Sequence, residues 1–282
     1  MTTDFEQVPI EEVRRYWNRR PCNIRHSPRP VGSKEYFDEV EARKYFVEPH
    51  IPGFAEFERW RGKKVLEIGC GIGTDTVNFA RAGADVTVVE LSDESIKVAE
   101  QRTHVMGVVD RAAFYNGNAE ELDSFLPPQQ YDLVYSFGVI HHSPHPERIL
   151  EQVKRYLRPG GTLKLMVYNR RSWKVFWMVM KYGKGDFRKT RELIAKHSEA
   201  QFGSPVTYAY TKDEFRDLLS RHGFRVTQMF VEHVFPWRIS DYVEYRYRKV
   251  WHFRWLPEPA FRALERRFGW HLCVTAVYDR AS

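Results

Sequence analysis

The sequence predicts an α/β chain in which a mostly parallel sheet carries helices on both faces. Three observations predict it. Between Lys63 and Tyr168, short apolar runs rich in extended-formers alternate five times with amphipathic stretches, and repetition at that pitch builds a parallel sheet covered on both sides. The first of these runs ends in alternating glycines, Gly69, Gly71 and Gly73, and residues without a Cβ let a chain turn sharply and approach a ligand closely. Finally, 282 residues, 43% of them hydrophobic, suffice to bury the core of one large domain spanning 1–282.

Each element follows in order. Residues 1–60 read as a helical, aromatic lid, with helical spacing in IEEVRRYW and YFDEVEARKYF and none in the connector RRPCNIRHSPRP between them. In the core, 61–168, KKVLEIG is a buried strand stopped by glycine. TDTVNFARAG is a helix with Gly83 as its stop, ADVTVVE a strand, and SDESIKVAEQR a helix with Ser92 as its N-cap. The alternation continues as strand AAFYNGN, helix AEELDSFL, strand YDLVYSF, helix PERILEQVKRYL and strand GTLKLMVY. Ligands of such sheets lie at the carboxyl ends of the strands, so a site is expected just after Ile68, Val89, Tyr115, Tyr135 and Val167.

The remaining half, 169–282, opens with SWKVFWMVMKY, which is apolar nearly all round and must be buried against a cap, a dimer partner or a lipophilic substrate. TKDEFRDLLSRHGFRVTQMFVEHV reads as a helix, a stop at Gly223 and a strand, and HLCVTAVY as the last strand. Between these two strands, residues 237–270 form an aromatic, basic insertion, expected to be a cap over a cavity or a subunit interface.

Composition narrows the classes. Cys22, Cys70 and Cys273 are too few and too scattered for a disulfide framework or a zinc site, which points to a reducing, cytoplasmic setting. The polar, acidic opening MTTDFEQVPIEEVRR lacks the pattern of a secretory leader, and VFWMVM is too short to cross a bilayer. The net charge of +7 admits an anionic partner such as RNA, and is also ordinary for a soluble enzyme.

The stretch VLEIGCGIGTDT is the most informative. Its spacing is G-x-G-x-G, not the G-x-G-x-x-G of dinucleotide folds. Glu67 lies inside the strand, where a buried carboxylate needs a positive ligand or organised N–H groups to stay ionised. Glu90 ends the second strand, suited to accept two hydrogen bonds from a ribose diol.

At these residues the chain resembles the class I S-adenosylmethionine-dependent methyltransferases, and among them the small-molecule branch typified by ubiquinone and menaquinone biosynthesis enzymes. The resemblance covers Lys63–Tyr168, extends to Tyr210–Val231 and the last strand, and leaves out 1–60 and 237–270. It implies a Rossmann-like, seven-stranded sheet with the last strand antiparallel, 61–168 as the S-adenosylmethionine-binding core, and the rest as acceptor-side elements. It further implies that Gly69, Gly71 and Gly73 pass beneath the cofactor, and that Glu67 orients that loop or the methionine amino group. Glu90 would hold the ribose hydroxyls and Leu91 the adenine face. Asn118, where family members usually carry aspartate, and the N–H of Ala119 would read the adenine edge; Asn118 could equally cap the helix that begins at Ala119. Ser136 would lie beside the methionyl moiety, and Tyr36, on the lid, would meet its carboxylate; an aromatic stripe of that kind is also ordinary core.

The loop after the fourth strand, SFGVIHHSPHP, would then face the transferable methyl group. No metal site is expected there: Pro144 and Pro146 prevent the helix that would align His141 with His145, and no carboxylate or cysteine lies nearby. His141 or His142 could take the proton of an amine or hydroxyl acceptor, or only hold the loop. His145 marks the start of the following helix. The expected function is methyl transfer to a small molecule, with N or O nucleophiles ahead of C or S. The alternatives are a methyltransferase acting on RNA or another macromolecule, and a non-catalytic S-adenosylmethionine-binding protein; a homodimer is compatible with either. The chain has no Asn/Asp-Pro-Pro-aromatic tetrad, no Pro-Cys nucleophile after the fourth strand and no double-glutamate loop, the patterns of familiar nucleic-acid and protein methyltransferases.

Overall fold

A computed structural model describes residues 4–198 and 204–279. Its single sheet contains β1 (Lys64–Ile68), β2 (Asp85–Glu90), β3 (Ala112–Asn116), β4 (Tyr131–Phe137), β5 (Leu157–Asn169), β6 (Ala209–Tyr210), β7 (Phe224–Glu232) and β8 (His271–Tyr278). The order across the sheet is β3-β2-β1-β4-β5-β8-β7, with the short β6 pairing off β5. β8 runs antiparallel to both β5 and β7, and the other pairings are parallel. The predicted doubly wound sheet with an antiparallel last strand is therefore observed, with β6 added to the seven. The strand order reverses at β1 and β4, which leaves a crevice beyond their carboxyl ends.

The central strands are buried on both faces because successive side chains point to opposite sides. Leu66, Ile68 and Val134 pack on one face with Ile149, Leu150 and Val153 of α6 (Pro146–Tyr156) and Phe215 and Leu219 of the helix before β7. Val65, Val86, Val88 and Leu133 pack on the other with Phe79 and Ala80. The helices are α1 (Ile10–Arg19), α2 (Lys34–Val47), α3 (Ile51–Ala55), α4 (Thr74–Arg81), α5 (Asp93–Val105), α6, α7 (Trp173–Tyr182), α8 (Thr190–His197), α9 (Lys212–Arg221), α10 (Ile239–Tyr242), α11 (Trp251–Arg254) and α12 (Glu258–Phe268). Ser92 caps α5 as predicted, accepting from the N–H of Ser95 at 3.1 Å.

One element differs from expectation. After β3 there is no α-helix: Ala119–Ser124 is a 3₁₀ turn broken at Glu121, and Pro127 and Pro128 follow too soon for a second α turn to form. α7 buries only Val175, Met178 and Val179, and leaves Trp177 at 49% and Met180 at 48% exposure.

The N-terminal helices lie over the carboxyl-end side of the sheet. Tyr36, Phe37 and Val40 of α2 pack against Ile72. The wholly buried Arg102 of α5 donates to Thr74 Oγ1 at 2.6 Å and to the Phe37 carbonyl at 3.1 Å, which bolts α2 to the core. The insertion packs behind this lid, where Arg43 of α2 sits over the rings of Tyr242 at 4.2 Å and Tyr245 at 4.4 Å. Among the described residues, no helix is long and apolar enough to cross a membrane.

Candidate functional site

A cavity of about 310 Å³ opens at the crevice beyond β1 and β4, walled by the glycine loop, the ends of β2 and β5, the loops after β3 and β4, and lid residues Ile10, Val13, Trp17, Cys22 and Asn23. In the loop at its floor Gly69, Gly71 and Gly73 all have positive φ, but only Gly69 and Gly71 line the cavity, while Gly73 packs against Ala99 of α5, 3.0 Å from where its Cβ would lie. A Cβ on Gly69 would lie 2.2 Å from Val139, whereas one on Gly71 would meet only Cys22, at 3.6 Å. Gly71 is therefore bare on the cavity side, a cradle that a side chain would fill.

Glu90 ties the loop to the second strand. Its Oε2 accepts from the N–H of Gly71 at 2.9 Å and its Oε1 from the N–H of Ser92 at 2.9 Å. Burial raises its carboxyl to about 6 in spite of those two donors. Each oxygen keeps a further lone pair, so a diol can still be accepted. Glu67 accepts from the Thr76 hydroxyl at 2.5 Å. Burial, and after it the charge of Asp75, pushes Glu67 up to about 8. A carboxyl kept protonated for want of a positive partner is what a cationic ligand would ionise. Leu91, Asn118 and Ala119 continue the wall on the far side. Asn118 caps the turn, its Oδ1 accepting from the N–H of Glu120 at 3.0 Å.

The histidine loop divides by geometry. Ile140–His142 is a 3₁₀ turn, whose successive side chains diverge by a third of a turn. His142 reaches the cavity wall, its Nδ1 lying 2.8 Å from the Val206 carbonyl and its ring 5.2 Å from Trp17. Donation from Nδ1 leaves the ring's lone pair on Nε2. His141 points the other way, fully buried against Tyr168 at 3.9 Å and off the cavity wall, and burial holds it well below the ordinary histidine value. Its ring nitrogens have no hydrogen-bond partner among the described residues.

Tyr36 and Ser136 stay off the wall as well. Tyr36 is buried, and its hydroxyl donates to the Ile24 carbonyl at 2.8 Å. The Ser136 hydroxyl donates to the Ile68 carbonyl at 3.0 Å, which pins β4 to β1, while Phe137, Gly138 and Val139 face the cavity in its stead. The insertion 237–270 contributes no lining residue. In return, the cavity gathers residues not singled out from the sequence: Asp75, Lys44, Glu48, Met166, Tyr168 and His271. Asp75 accepts from Lys44 at 2.7 Å, Tyr45 at 2.9 Å and Tyr135 at 2.9 Å. Its position two residues past the glycine loop is the one signal that could have marked it.

Comparisons with known proteins agree with this geometry. Residues 40–229 match the family described as a methyltransferase domain. A ubiquinone biosynthesis O-methyltransferase of Idiomarina loihiensis is 34% identical over 130 residues, 45% of this chain and 50% of that protein. The 27-O-demethylrifamycin SV methyltransferase of Amycolatopsis mediterranei is 34% identical over 105 residues, 37% of this chain and 38% of that protein. The chain thus spans about half the length, or less, of the curated relatives it matches. Among solved structures, magnesium protoporphyrin IX methyltransferase from Synechocystis superposes with a TM-score of 0.60 over 96% of this chain and 100% of that one, at 16% identity. The cyclase SpnF superposes with a TM-score of 0.58 over 95% and 96%, also at 16% identity. Neighbours so different in named chemistry show the fold and leave the reaction to the site.

Proposed function

The chain belongs to the methyltransferase-domain family, and we propose that it transfers a methyl group from S-adenosylmethionine to a nitrogen or oxygen atom of a small molecule. The observation that carries the reading is Glu90, a buried carboxylate held by two main-chain donors at the mouth of a bare glycine loop. Gly71 gives the cofactor room, Glu90 accepts from its sugar, Leu91 and the Asn118–Ala119 turn hold its base, and Glu67 answers its positive charge. When bound, S-adenosylmethionine supplies a methyl group on a sulfonium, which a nucleophile aligned with the carbon–sulfur bond displaces.

The chain's own part is alignment, dryness and proton removal. Lid residues Val13 and Trp17 and the aromatic wall of Phe137 and Tyr168 exclude water from the acceptor end. His142, on that wall, is the histidine suited to take the acceptor's proton through Nε2, a buried nitrogen that a turn of the ring would bring to the cavity. Cys22, Cys70 and Cys273 form no disulfide among the described residues, which suits a reducing, cytoplasmic setting.

Titration calorimetry with S-adenosylmethionine and its demethylated product tests the reading, and both are expected to bind; binding of neither would remove it. With an acceptor in hand, His142→Ala should lower turnover about 10²-fold while donor affinity stays within about twofold. His141→Ala, off the wall, should act through stability. Normal turnover in His142→Ala would end the base role.

A further inference from the structure

A second gathering of imidazoles lies where the lid meets the antiparallel side of the sheet. Glu48 ends α2, His50 precedes α3, His233 follows β7 and His271 opens β8. One donor atom from each of Glu48, His233 and His271 lies within 4.8 Å of the others. Glu48 and His271 also line the acceptor end of the cavity.

We propose that Glu48, His233 and His271 bind one divalent metal ion of the borderline class represented by Zn²⁺, with its open coordination positions toward the cavity. Two imidazoles and one carboxylate form a recurrent three-ligand set for such ions, which keeps a position for water or substrate. Bonds of about 2.1 Å hold donors roughly 3–4 Å apart, a spacing that His271 Nε2 and Glu48 Oε1 already have at 3.6 Å. The His233 ring, stacked on His271 at 4.4 Å, is the group left to swing in on loading.

The surroundings prepare the set. Burial holds His233 down to about 3 and His271 well below its usual value, so both rings are neutral and carry a lone pair. The nitrogens left over are engaged. His271 Nδ1 lies 3.1 Å from His50 Nε2, and the Val47 carbonyl lies beside the His233 ring. Outer hydrogen bonds of this kind turn a histidine's remaining lone pair toward an ion. His233 also has φ of +73°, a backbone setting that a histidine keeps only when its surroundings fix it. Lys44 and Lys174, whose charges reach these rings, are themselves engaged: Lys44 by Asp75 at 2.7 Å, Lys174 over the Trp270 ring at 4.5 Å. An ion here would staple lid to sheet. That its open side receives a methyl acceptor rests on the function proposed above; the metal site itself does not.

The test uses the full chain, stripped with chelator and dialysed against Zn²⁺ or Co²⁺ at neutral pH. The metal is counted by mass spectrometry, and ligand-field bands are recorded for Co²⁺. About one ion per chain is expected, with affinity falling at least about tenfold in Glu48→Gln and His271→Ala, and about tenfold in His50→Ala. Thermal melts of the metal-free variants establish folding; should His271→Ala fail to fold, the isosteric Glu48→Gln decides. Uptake of less than about a fifth of an ion for both metals, or affinity unchanged in the folded variants, overturns the site. Donor calorimetry on the same stripped protein separates the two proposals. Donor binding without metal uptake removes the metal site alone, and metal uptake without donor binding removes the methyl-transfer reading alone.

Discussion

Glu90 and the glycines it holds set the terms for donor binding. A diol is accepted best by the ionised carboxylate, and burial raises Glu90 to about 6. A carboxyl whose folded value lies above its unfolded one favours the fold at low pH, and that help disappears as pH rises through the folded value. Ionised Glu90 therefore costs the empty protein about 2 kcal/mol at neutral pH. Donor affinity should fall as pH drops below about 8, where Glu67 protonates, and more steeply below about 6, where Glu90 does too, each approaching tenfold per unit in calorimetry across pH 5–8. A flat profile would detach Glu90 from the ligand. The glycines separate strain from contact. Gly69→Ala, with positive φ and Val139 at 2.2 Å, should destabilise by about 2–4 kcal/mol in denaturant melts. Gly71→Ala meets no such clash, so it should cost only about 1–2 kcal/mol and act chiefly on donor affinity. Equal destabilisation by the two would contradict this division. All of these residues were legible in the sequence because loop, strand end and cap are local features. That Tyr36, Ser136 and His141 lie off the cavity wall was not legible, because spacing does not say which way a side chain leaves a turn or a strand.

At the scale of elements, the alternation of strand and helix, the Ser92 cap and the stop at Gly223 could be read directly, since each rests on neighbours in sequence. β6 could not, because two residues have no period. The turn after β3 looked helical by composition, yet the prolines behind it end it early. α7, whose apolar surface calls for a cap, a dimer partner or a lipophilic substrate, packs one face on the sheet and leaves Trp177 half-exposed. The lid is where element and site meet. Tyr36 serves α2 as core, so Tyr36→Phe should leave donor affinity within about twofold and cost about 1 kcal/mol in thermal melts through the lost bond to Ile24. A loss of donor affinity beyond tenfold would return its hydroxyl to the binding site.

Over the whole molecule, the cavity joins residues as distant as Ile10 and His271, and Lys44 with Asp75. No local pattern announces such convergence. It exists because the sheet brings β1, β4, β5 and β8 side by side and the lid folds back across their ends. The position of the site at the carboxyl ends could therefore be foretold from the fold class, while its acceptor half could not. The insertion 237–270 shows the same limit: its aromatic content suggested a cap over the cavity or a subunit interface, and within the chain its Tyr242 and Tyr245 clasp the lid through Arg43 while none of its residues lines the cavity. The donor half carries the claim on which the rest depends, and calorimetric titration of S-adenosylmethionine into Glu90→Ala tests it most directly. With folding verified by melting curve, the account predicts affinity weakened at least about 30-fold, from the loss of charge-assisted acceptors worth about 2 kcal/mol or more. Affinity equal to that of the unmodified chain would contradict it.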